Sequence, residues 1–178
     1  MAKRLLLLHV GPDAVDTAAM AETLALGGVA LPDVAPETLR HAGLELTRTH
    51  KAAGLRRKQV EGAWAKVCRR AWKSRTDCFV SVPALFDAAP EQVALALDGL
   101  AGMKVVLVLT SGFSALPPAA WTSQVRPHRT HVLPSHLDAT QLAAQVARIA
   151  LMEEEARLDK RLAKIGRRRK QVNRRLAA

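Results

Sequence analysis

The sequence predicts an α/β fold of three layers: a parallel sheet of about four to five strands between helices, with a long C-terminal helix. Three observations predict it. Residues 4–10 (RLLLLHV), 78–82 (CFVSV) and 104–110 (KVVLVLT) are short, nearly continuous apolar runs, as in strands buried on both faces of a parallel sheet. Helical patterns separate these runs at the spacing of right-handed crossovers. From Asp138 no proline interrupts the remaining residues, so about 40 of them can form a rod of roughly 60 Å.

The elements follow in order. After the first strand, residues 16–26 read as a helix capped by Asp16 or Thr17. A short extended piece, Val29 to Leu31, lies between turn signals. Pro36 opens a second helix, PETLRHAGLEL, at the position where proline is tolerated. A basic amphipathic helix is predicted from Leu55 to Lys73, with Leu55, Val60, Trp64, Val67 and Ala71 on one stripe. Trp64 and Trp72, eight apart, read as core anchors. The helix 90–100 follows the 78–82 strand and stops at Gly99 and Gly102. The turn-rich SGFSALPPAAW leads into a short helix at 117–125, and THVLP (130–134) is the last strand. Ser135 and Asp138 fit a capping-box pattern for the final helix. Leu142, Val146 and Ile149 suit packing on the sheet. Beyond them Leu151, Leu158, Leu162, Ile165, Val172 and Leu176 alternate at three- and four-residue steps, a coiled-coil-like seam in which Glu155 and Arg169 take two places and which Gly166 weakens. The division expected is an α/β domain over 1–150 and a basic helical extension over 151–178.

Composition narrows the function. With 178 residues and 49% hydrophobic content the chain can build a core and is not a disordered polyelectrolyte. Abundant Ala and Leu without Tyr suggest a helix-rich protein from a high-GC bacterial genome. The first apolar run is too short to span a membrane, and Asp13 and Asp16 follow it at once, against a signal peptide; the expected setting is cytoplasmic, with no membrane partner. Cys68 and Cys78 lack metal-ligand spacing and read as reduced thiols. The net charge of +11 is concentrated: residues 156–178 hold ten Lys/Arg against Asp159, and a second cluster runs from Lys51 to Arg75. Such clusters suit an anionic partner or a solvated face. The residues named for anion or partner contact are Arg56, Arg57, Lys58, Arg69, Arg70, Arg167, Arg168, Arg169, Lys170, Arg174 and Arg175.

The opening strand–loop–helix, with GPDAVD as its loop, has the layout of a phosphate cradle, yet the loop carries two aspartates and no lysine. Around it the chain resembles the sulfotransferase family, a branch of the P-loop nucleotide-binding folds, over roughly residues 4–135. His9, Val10 and Gly11 match the HIG that opens the family's donor loop, and Thr17 falls on its first threonine. SVPALFDAAPEQVALAL looks like the segment after the third strand, and VVLVLT followed by Pro118–Trp121 resembles the fourth strand and the tryptophan helix. The resemblance implies a three-layer, P-loop-like sheet and a site for 3′-phosphoadenosine 5′-phosphosulfate built from the positions of Gly11, Pro12, Asp13, Ala14, Val15, Asp16 and Thr17. The departures fall on the chemistry. Ala14 stands at the loop lysine, Asp16 at a loop glycine, Asp13 at the proline, Gly112 at the arginine that holds the 3′-phosphate, and Pro83 at the acid after the third strand. A unit-charge repulsion of roughly 4 kcal/mol at 4 Å opposes an anion beside these aspartates. The expectation is a loop shaped like the cradle with a carboxylate in place of the anion, and no cofactor.

No other enzyme signature stands out. His9 at a strand end reads as structural. His128, His131 and His136 fit no strong zinc pattern, and Asp13 with Asp16 make a weak cation site. Ser81 and Ser111 lack a nucleophile elbow. The reading is therefore no catalytic residue and no metal: a sulfotransferase-like domain that has lost donor binding and acts as a binding or scaffold protein through its basic C-terminal helix, toward a protein partner or a second copy. The alternatives are a weakly specific nucleic-acid-binding protein, or a sulfotransferase whose divergent loop borrows a cation from Arg56, Arg57 or Lys58.

Overall fold

β1 (Leu5–Val10) is the middle of the molecule, and every residue in it is buried. A computed structural model of the chain describes residues 4–112 and 118–176, with side chains through residue 174. β1 pairs in parallel with β3 (Asp77–Ser81) on one side and β4 (Lys104–Ser111) on the other. The edges are β2 (Val29–Ala30), beside β3, and β5 (Thr130–Pro134), beside β4. The sheet order is β2-β3-β1-β4-β5. Its five parallel strands match the fold the apolar runs predict.

Side chains alternate across the sheet, so the four leucines of β1 serve two cores. Leu5 and Leu7 face α1 (Thr17–Leu26) and the first half of α7 (Ala139–Leu176), where Met20, Leu24, Leu142, Val146 and Ile149 are buried. Leu6 and Leu8 face α2 (Pro36–Thr47), α4 (Ala63–Lys73), α5 (Pro90–Gly99) and the single turn α6 (Ala119–Thr122). All four leucines are fully buried, and each contributes roughly 2 kcal/mol from lost apolar surface. Gly27 fixes the approach of α1 to α7: a Cβ there would lie 2.5 Å from that of Ala147.

Three local expectations are corrected. The basic helix over 55–73 is two helices, α3 (Arg57–Val60) and α4, divided at Gly62, whose φ of 80° is left-handed. Trp64 is buried, but Trp72 is 42% exposed, because eight residues on a helix turn a side chain about 80° off the stripe; its ring instead covers Gly102. The reciprocal cap of α7 is Asp138 with Gln141, three residues later than the Ser135–Asp138 pattern. Residues 113–117, part of the turn-rich stretch, lie outside the described residues.

This topology decides where a site can form. The chain leaves β1 toward the α1 face, while its neighbours β3 and β4 lead to α5 and α6 on the other face. The carboxyl end of β1 is therefore a topological switch point, where open α/β sheets bind ligands in a crevice.

Candidate functional site

The loop after β1 lies at that switch point. Gly11 is buried against β4: a Cβ would fall 1.8 Å from Thr110 Oγ1, so only glycine lets the chain leave the sheet here. Pro12, Asp13 and Ala14 are exposed, and Val15 packs partly against the α1–α7 core. No residue from Gly11 to Thr17 has a positive φ. The alternation of right- and left-handed residues that makes one kind of amide nest is missing, and the connection ends in a helix cap. Asp16 is that cap. Its Oδ1 accepts from Ala18 N at 3.0 Å and Ala19 N at 3.1 Å. These are the free amides that a helix amino terminus offers to an anion. A carboxylate of the chain itself holds them, as the two aspartates suggest. Thr17 begins α1.

Behind the loop lies a buried polar group that the sequence does not reveal. His9 is fully buried, with Nδ1 2.9 Å from Ser81 Oγ and Nε2 3.1 Å from Thr110 Oγ1. Burial pushes the imidazole pKa down to about 4, so the ring is neutral at neutral pH. A neutral ring donates from one nitrogen and accepts at the other, so one hydroxyl accepts from it and the other donates to it. The three side chains tie together the carboxyl ends of β1, β3 and β4. Ser81 and Thr110 are themselves more than nine-tenths buried. This is a cross-strand brace, as the structural reading of His9 expects. The only signal in the sequence is a polar residue at the end of each apolar run or one place before it.

The cations named from the sequence fall into three places. Arg56, Arg57 and Lys58 are exposed at α3. Arg56 N donates to Gln59 Oε1, and Arg57 is 3.4 Å from Glu61. Arg57 lines a 430 Å³ cavity with Glu45, Arg48, His50, Val60 and Glu61, and none of residues 11–17 borders it. Glu45 is committed elsewhere: its carboxylate accepts from Gly62 N and Trp64 N at the start of α4. Arg69 and Arg70 line a shallow 250 Å³ groove on α4 with Lys66 and Lys73, and Arg70 is 3.2 Å from Asp33.

The third place is α7. Its first half runs down the α1 face and is clamped at the amino edge of the sheet. Glu153 pairs with Lys104 at the start of β4, and Arg157 pairs with Asp77 at the start of β3, 3.3 Å away, and with Glu154 at 2.9 Å. From Leu158 to Arg174 every residue is exposed. That stretch holds Arg167, Arg168, Arg169, Lys170 and Arg174, while the side chain of Arg175 lies outside the described ones. Among the described residues no carboxylate lies within ion-pair distance of these five. The structure does not join the basic clusters: α4 and α7 lie on opposite faces of the sheet.

Gly112 is exposed with open space around it, and Pro83 starts a turn after β3. Trp121 is buried, and its Nε1 donates to Leu85 O at 2.8 Å, which anchors α6. Cys68 and Cys78 are free and buried, and burial pushes both thiols up to about 12, out of reach of nucleophilic chemistry at neutral pH. Among the described residues no group of three or more His, Cys, Asp or Glu is placed to hold a metal, and no helix is long and apolar enough to cross a membrane. No protein-family model, curated protein or solved structure matches the chain.

Proposed function

We propose that this chain is a sulfotransferase-like α/β domain that does not bind a phosphosulfate donor, and that it acts as a binding or scaffold protein with the outer half of α7 as its docking element. One observation carries the reading: the Asp16 carboxylate sits on the amides of Ala18 and Ala19. An anion entering there must displace a cap worth about 1 kcal/mol and tolerate a repulsion of roughly 4 kcal/mol from the displaced carboxylate. No lysine stands in the loop to offset this. Calorimetric titration with 3′-phosphoadenosine 5′-phosphate tests it. The expected result is no saturable heat up to about 1 mM, equivalent to binding weaker than about 4 kcal/mol. Micromolar binding would restore the transferase reading.

The cations of α7 favour a second reading, contact with a nucleic-acid backbone. Filter binding of duplex DNA at low and physiological salt distinguishes it. Retention that falls steeply with salt and disappears on removal of residues 158–178 supports this reading.

A further inference from the structure

We propose that the projecting half of α7 pairs with the same segment of a second copy of this chain, as an antiparallel two-helix coiled coil. The inference names the partner of the docking element proposed above, and rests on that reading only for the role of α7.

The arm presents two different faces. At about 100° per residue, Leu151, Leu158, Leu162, Ile165 and Val172 fall on one stripe about 100° wide, with Glu155 and Arg169 among them. Lys160, Lys164, Arg167, Lys170 and Arg174 fall on the opposite side. Its alternating three- and four-residue steps are those of a coiled-coil seam. It is uncovered: Leu151, Leu162 and Ile165 are each more than 60% exposed.

The two seam charges select the partner and its direction. In a parallel, in-register pair Glu155 would face Glu155 and Arg169 would face Arg169, two like-charge contacts inside the seam. Reversing one helix removes both. With Leu162 opposite Ile165 at the centre, Leu158 lies opposite Arg169 and Glu155 opposite Val172. Glu155 of one copy and Arg169 of the other then occupy neighbouring layers with opposite signs. Glu155 stands near the start of the arm and Arg169 near its end, so a reversed copy brings these opposite charges near each other twice. One like-charge neighbour remains, Arg161 with Arg168, at the wet rim where salt screens it. The clamp at Glu153 and Arg157 directs each arm away from its own sheet. The free segment from Leu158 to Leu176 is about 28 Å long, so the two domains can sit at opposite ends of the pair.

The experiment uses the full-length chain. Light scattering behind size exclusion at about 100 µM should give twice the chain mass, and Leu162→Lys with Ile165→Lys should return it to one chain mass without changing the thermal midpoint of the α/β domain. For direction, chains carrying Leu158→Cys and chains carrying Arg169→Cys are mixed and treated with a short thiol cross-linker; the native thiols are buried. The mixed cross-link should exceed either self-cross-link at least tenfold. A chain that is monomeric at this concentration, a dimer that survives the double lysine variant, or self-cross-links in place of the mixed one would overturn the inference. So would a monomer whose arm engages only added DNA. None of these results bears on the loop: the nucleotide titration reads Asp16 and is independent of the arm.

Discussion

His9 is held by two hydroxyls and no carboxylate, so burial sets its charge state. The sign of the pH effect follows. Its pKa is lowered on folding from 6.5 to about 4, so between these values the unfolded chain binds the proton and the native chain does not. The contribution is complete above pH 6.5 and is lost as pH falls toward 4. A shift of this size corresponds to about 3 kcal/mol at 1.36 kcal/mol per pH unit. Urea unfolding at several values between pH 7 and pH 4 should show that decline, and His9→Gln should flatten it. A wild-type stability unchanged across this range would contradict a neutral, buried ring. Asp16 shows how a single residue can fill a site with a side chain. Its carboxylate caps α1, and a cap at Asp16 or Thr17 was legible in the sequence. The missing left-handed turn was not, because Gly11 suggests a flexible loop and is instead required for its close approach to Thr110.

The elements were readable wherever burial runs along the chain. β1, β3 and β4 are continuous apolar segments buried on both faces, and the sequence marks them to within a residue. What escaped notice depends on partners far away in sequence. The break before α4 rests on Glu45, which reaches Gly62 across 17 residues. The clamp on α7 joins Lys104 to Glu153 and Asp77 to Arg157, pairs that no local pattern links. The clamp also divides α7 into a packed half and a free half. A chain truncated after Arg157 should therefore keep its thermal midpoint within about 2 °C, because the described side chains beyond it are all exposed. A loss of 5 °C or more, measured by circular dichroism, would show that the arm packs on the domain.

At the scale of the whole molecule the two features lie at opposite edges of the sheet. The 11–17 loop sits beyond the carboxyl end of β1, and the arm departs past the amino ends of β3 and β4. The net charge of +11 is therefore a poor guide to what the loop binds, since the densest cations belong to the arm and the loop carries Asp13 and Asp16. The proposed function turns on one feature, the Asp16 carboxylate on the amides of Ala18 and Ala19. The amide resonances of Ala18 and Ala19 report it directly during a titration with 3′-phosphoadenosine 5′-phosphate. The account predicts that both stay in place up to about 1 mM nucleotide. Saturable shifts of these two amides at micromolar nucleotide would contradict it.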